Sequence, residues 1–234
     1  MAIKVLEPDN RGLMENKIFK GHSLFSNGIP NTVRPDFFGC VYVFNDDILY
    51  PESFLGMHPH ENVEIVTIMI SGTESHRDTL GIHENYTNGD VQLISSGTGV
   101  HHEGGNVSDT DIARHLQIWI APKQMNLEPG VQLKKAATHQ TPLSLLVSPD
   151  GYQKSLIINQ DVWIYQGKLD YDQTEHYKIK KLGNGLMIYV ISGLLAISST
   201  VIKEGSTAFI TDESTLELIS KNEKTNFILI ETII

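Results

Sequence analysis

Apolar and polar residues alternate along most of this chain in short runs, and the runs are broken by glycine, asparagine and aspartate. Period-two alternation bounded by such residues predicts β-strands. In the first half it predicts strands at FGCVYVFND (38–46), VEIVTIMIS (63–71), DVQLIS (90–95) and RHLQIWI (114–120). In the second half it predicts them at LIIN, VWIYQGKL, LMIYVIS, LLAISSTVI, TAFITD, LELIS and NFILIETII. Turn signals fall between them at Ser71-Gly72, Asn88-Gly89-Asp90, Asn184-Gly185, Ser192-Gly193 and Glu204-Gly205. Helical periodicity is weak and supports only short turns near 122–135 and 142–150. Many short strands without alternating helices predict an all-β sandwich or barrel.

The two halves share a rhythm. A strand ending in Ser71-Gly72 leads through a strand pair to Asn88-Gly89-Asp90-Val91, and a strand ending in Ser192-Gly193 leads through LLAISSTVI to Glu204-Gly205-Ser206-Thr207. Such self-similarity predicts one barrel unit used twice. The proline-containing stretch from Ala121 to about Pro149 is the natural linker, which divides the chain into domains at 1–130 and 131–234.

Composition narrows the setting. The chain has 234 residues, 40% of them hydrophobic and 20% charged, which is ordinary for a soluble globular protein. No apolar run is long enough for a membrane span, and the start lacks the apolar core of a secretory signal. The single cysteine, Cys40, has no internal disulfide partner and sits among apolar neighbours, as a buried strand thiol does. Together these features predict a cytoplasmic protein. A formal net charge of −10 argues against direct nucleic-acid binding, which needs a Lys/Arg surface.

Six of the ten histidines fall between residues 58 and 102. In His58-Pro59-His60, residues i and i+2 of a strand share a face, so both imidazoles can reach one ion at about 2 Å. Pro59 biases His58 toward the extended conformation this requires. A second group, Gly97-Thr98-Gly99-Val100-His101-His102-Glu103, follows a glycine turn that delivers its polar residues to a fixed place. His101 and His102 point to opposite faces of a strand, so one of them joins His58 and His60. Three imidazoles and a carboxylate suit Fe(II), Mn, Ni, Cu or Zn, and ligand type alone does not choose among them.

HPHxxxE, then His76-Arg77-Asp78, then Gly89-Asp90-Val91-Gln92, then GTGVxHxxxN resembles the pirin family of bicupins. The match is strongest through 56–106 and continues loosely in Gln160-Asp161-Val162 and 205–212. The resemblance implies two tandem cupin barrels (double-stranded β-helix, or jelly-roll, folds). It implies one metal, usually iron, in the first barrel and none in the second. After His102 only His115, His139 and His176 remain, with no further H-x-H. Carried over, the metal ligands are His58, His60 and His102. The fourth departs from the family pattern, because Gly104 stands where relatives have glutamate. Either Glu103 reaches the ion, or the site has three histidines, or His101 and Glu103 form the ligand pair. The same resemblance makes Glu103 the candidate catalytic base. His76 reads either as a residue supporting the metal ligands or, in the favoured reading, as a structural strand-surface partner of Asp78. His83 reads as a turn residue, Glu64 as an orienting carboxylate, and Trp119 and Trp163 as core or inter-domain packing.

Two functions follow from the resemblance. One is a metal-dependent dioxygenase acting on a flavonol-like aromatic such as quercetin. The other is a non-catalytic, metal-dependent or redox-responsive partner of a regulatory protein.

Overall fold

The computed structural model describes residues 2–136 and 141–234, and the structural statements below concern those residues; His139 lies outside them. Their helical segments are two 3-10 turns, Pro8–Asn10 and Tyr152–Lys154. The regions expected to hold helical turns contain strands instead, Gly130–Lys134 and Leu143–Ser148. Each lies against a neighbour that completes its backbone hydrogen bonds, and that ladder outweighs a weak local helical pattern. His83, expected in a turn, opens the strand His83–Thr87.

The strands form two barrels with the same internal order. In the first, Val91–Ser95, Glu64–Ser71, Ala113–Ile120 and Val41–Leu49 lie side by side in the larger sheet. Phe54–His60, Val100–Asn106, Thr73–Asp78 and His83–Thr87 form the smaller one. The second barrel repeats this with Thr207–Thr211, Asn184–Ser192, Lys224–Ile233 and Val162–Asp170. Its smaller sheet runs Thr174–Lys178, Thr215–Ser220, Leu194–Ile197, Thr200–Lys203. The all-β, two-cupin architecture is therefore that expected from the sequence. Corresponding turns use glycine for the same reason: Gly72 (φ 76°) and Gly193 (φ 88°) both have left-handed backbones pressed against another strand. The chain also crosses between halves. Ala2–Leu6 pairs with Thr207–Thr211 of the second barrel, while Gly130–Lys134 pairs with Val91–Ser95 of the first.

The largest apolar cluster lies between the barrels. It joins Phe44, Val66, Ile68, Leu116 and Ile118 to Ile164, Met187, Tyr189, Ile228 and Ile230. Within it Asp46 accepts two hydrogen bonds of 2.8 Å from Arg114 and one from the hydroxyl of Tyr189. Burial alone would raise the Asp46 carboxyl, but Arg114 outweighs it and holds the pKa below its usual value. Cys40 sits partly buried at this seam, its Sγ 2.9 Å from Thr232 Oγ1. Trp163 packs on the second barrel's core.

The barrel interiors differ in kind. The second is filled by a continuous apolar cluster including Leu195, Ile197, Leu216, Leu218, Phe227 and Leu229. The first has only two small apolar clusters at its ends, around Met69 and Ile65. Between them, buried positions carry Glu74, His76, Asp78, Gln92 and His115. A polar interior is costly unless its groups are paired or bind something, and this one surrounds the histidines. No helix among the described residues is long and apolar enough to cross a membrane.

Candidate metal centre

The smaller sheet of the first barrel builds the site by strand register. Phe54–His60 runs antiparallel to Val100–Asn106 with His58 opposite His102 and His60 opposite Val100. His58 and His60 share a face across Pro59, and His102 meets them from the next strand. The ring centroids lie 4.9 Å (His58–His60), 4.4 Å (His58–His102) and 5.0 Å (His60–His102) apart. One nitrogen from each ring lies within 4.8 Å of the others. A single ion with metal–nitrogen bonds of about 2 Å can draw such a set together.

Two devices hold His102 in register. Gly97 and Gly99 take positive φ in the turn before its strand, and a Cβ at Gly97 would lie 2.0 Å from the carbonyl oxygen of Leu127. At the far end Asn106 donates to the carbonyls of Leu49, Tyr50 and Asp111, which ties the strand to the larger sheet. The asparagine four residues after His102 is thus an anchor for the ligand strand.

The electrostatics leave His60 and His102 neutral near pH 7. Burial first, then the neighbouring His58, pushes His60 down to about 4 and His102 down to about 3. His58 Nδ1 lies 2.8 Å from the carbonyl oxygen of Gly56, so Nδ1 carries the proton and Nε2 is the free donor atom. His102 Nε2 is buried with no hydrogen-bond partner. An orphaned, neutral imidazole nitrogen facing two others is what a divalent ion would satisfy, so these residues fit a metal. Trp119, expected in the core, packs its ring edge-on to His60 at 5.0 Å and helps set that imidazole's orientation.

Glu103 is not brought into this group. Successive strand residues alternate faces, so His102 points into the barrel and Glu103 outward, 3.6 Å from Arg77. The structure thus does not bring Glu103, expected as fourth ligand and base, together with the three histidines. His101 shares its outward parity and is exposed, so the pair His101/Glu103 does not ligate either. Gly104 has the inward parity, but a Cβ there would lie 2.4 Å from the carbonyl oxygen of Ser75. The backbone of the neighbouring strand occupies the space a side chain would need.

His76 lies opposite Gly104, buried, with Nε2 2.7 Å from Asp78 and its ring 5.4 Å from His102. Its pairing with Asp78 is the one expected, and it also packs on the cluster. Glu64 is buried away from the three rings, accepting a 2.7 Å hydrogen bond from Ser95. Sequence reasoning missed Glu74 and His115, whose 2.7 Å ion pair lines the same cavity as His58, His76 and His102. The signal was there as period-two polarity: Glu74, His76 and Asp78 share one face of their strand, as His115 and Gln117 share one face of theirs.

Comparison with known proteins agrees with this architecture. Residues 19–120 match the Pirin family model, and residues 145–232 match that of the quercetinase C-terminal cupin domain. A putative quercetin 2,3-dioxygenase of Pasteurella multocida is 31% identical over 189 residues, 80% of this chain and 81% of that protein. The quercetin 2,3-dioxygenase of Escherichia coli K12 is 30% identical over 190 residues, with coverage of 80% and 81%. The solved structure of the bacterial pirin YhhW from Escherichia coli in complex with nickel(II) superimposes with a TM-score of 0.92 at 26% identity, covering 99% of both chains. Two cupin barrels, a three-histidine cluster in the first, and these relatives over four-fifths of the length place the chain in the pirin family of bicupins.

Proposed function

We propose that this chain is a metal-dependent dioxygenase of flavonol type, holding one divalent cation, iron(II) by preference, on His58, His60 and His102. The observation that carries the reading is the convergence of three imidazoles, one with a buried unpartnered nitrogen, in a barrel whose relatives include named quercetin 2,3-dioxygenases. A bound ion would supply Lewis-acid polarisation of neighbouring substrate oxygens and redox access to dioxygen.

The rest of the work falls to the chain. The Gly56 carbonyl orients His58, Trp119 orients His60, and the Asn106 anchor positions His102. The cavity beneath the rings holds about 70 Å³, so a flavonol would sit at the outer side of the cluster. Phe54, Leu55 and Met57 are exposed along the strand that bears His58 and His60 and offer an apolar lip there. Large exposed apolar side chains beside a polar centre suit a flat aromatic ligand.

Oxygen uptake and carbon monoxide release, measured on iron-loaded protein with quercetin, test this reading. The expected result is one O₂ consumed and one CO released per quercetin cleaved, lost in His102→Ala. No oxygen uptake by the fully loaded protein would overturn it.

A further inference from the structure

The interior of the first barrel carries buried ionisable groups beyond the three-histidine cluster. Glu74 is 3% exposed and its Oε1 lies 2.7 Å from His115 Nδ1. On the other side of the same ring, His115 Nε2 lies 3.7 Å from Asp47 Oδ2. The Tyr86 hydroxyl donates to the second oxygen of Glu74 at 3.5 Å. These four residues come from four different strands, so the arrangement belongs to the barrel and not to one local turn.

A carboxylate facing each ring nitrogen, at 2.7 Å and 3.7 Å, favours the imidazolium form of His115. Burial alone would lower its pKa, but Glu74 and Asp47 reverse this and lift it to about 10. Two carboxylates and one imidazolium leave the cluster with one surplus negative charge. Asp47 Oδ1 and Gln92 Nε2, like His102 Nε2, are buried without partners. Glu74, Gln92 and His115 line the cavity that His58, His76 and His102 also line. Asp78, held by His76, is a further buried carboxylate and stands opposite His102 in the strand register.

The four-ligand pattern that the sequence resembles includes a carboxylate that this chain does not place. Gly104 has no room for a side chain, and Glu103 faces outward. We propose that the Glu74–His115–Asp47 cluster, with its one surplus negative charge, is the anionic positioning group of the metal pocket. Its role is to supply through space the negative charge that favours a divalent cation on the three imidazoles. This rests on the reading that His58, His60 and His102 hold the cation. Carboxylates hydrogen-bonded to metal ligands are worth about 10–100-fold in binding, and a buried charge acting across the same cavity works in the same direction because the interior screens it weakly.

The charge count dictates the test, which is competition titration of the metal-free protein with Co(II) against a chromophoric chelator. Glu74→Gln and Asp47→Asn each neutralise the cluster, and each is expected to weaken Co(II) binding at least about tenfold. Glu74→Gln/His115→Gln removes one charge of each sign and is expected to bind within about threefold of wild type, a recovery that a merely structural role does not produce. Circular dichroism and thermal melts verify folding, and Asp47→Asn carries the test alone if Glu74→Gln does not fold. Unchanged affinity in the folded single variants, or a double variant as weak as Glu74→Gln, overturns the proposal while leaving the three-histidine site standing. Wild-type protein that binds no Co(II) overturns both.

Discussion

His102 and Glu103 are chain neighbours that face opposite ways: the imidazole packs 4.4 Å from that of His58 inside the barrel, and the carboxylate lies 3.6 Å from Arg77 at the surface. Which one joins the histidine cluster follows from strand geometry. A shift of one residue in register would exchange them, and the register is held by the His58–His102 pairing and by the Asn106 anchor.

Glu103→Gln is therefore expected to leave the metal content unchanged. It should cost no more than about 1 kcal/mol of stability, the usual worth of an exposed ion pair. His102→Ala should abolish metal binding. Elemental analysis of both variants, with urea unfolding of the first, checks the contrast.

Gly104→Ala is expected to destabilise the protein by about 1–3 kcal/mol, because its Cβ would be forced against the Ser75 carbonyl. Gly104→Glu should not produce a four-ligand site, since the added side chain starts from the same clash. Urea midpoints measure the first effect, and metal affinity measures the second.

Acid and alkali should act on the metal-free protein through different histidines. His60 and His102 fall to about 4 and about 3 in the fold from an unfolded value of 6.5. Between those limits the unfolded chain binds more protons, so stability falls as pH drops below about 6.5. His115 is raised to about 10, so its contribution is full below about 6.5 and is lost as pH rises toward 10. Urea unfolding across this range should show both arms. The alkaline arm should flatten in His115→Gln and the acid arm in His60→Ala/His102→Ala.

Arg114→Met would leave Asp46 at the seam with only the Tyr189 hydroxyl and Arg11, 3.6 Å away, and is expected to cost about 3 kcal/mol. Tyr189→Phe removes a single donor to the same carboxylate and should cost about 1–3 kcal/mol. Chemical denaturation distinguishes these magnitudes.

Much of this was legible in the sequence. Period-two alternation and paired glycine turns revealed the two barrels, and His58-Pro59-His60 with the glycine turn before His102 revealed the cluster. Strands lacking clean alternation, such as Gly130–Lys134, were not legible, because their stability lies in pairing with distant segments. Nor was the partner of Ala2–Leu6, which joins the opposite barrel. The fourth position was open in the sequence because Glu103 and Gly104 differ only in parity, and parity needs a known register. Glu74 and His115 stand 41 positions apart and meet only because the barrel closes. Each alone is an ordinary polar strand residue, so only the folded interior reveals them as a pair.

Metal stoichiometry of the purified wild type beside a His58→Ala/His60→Ala double variant tests the central claim most directly. One divalent ion per wild-type chain and none in the folded variant is the expected result. Equal metal content in the two would contradict the account.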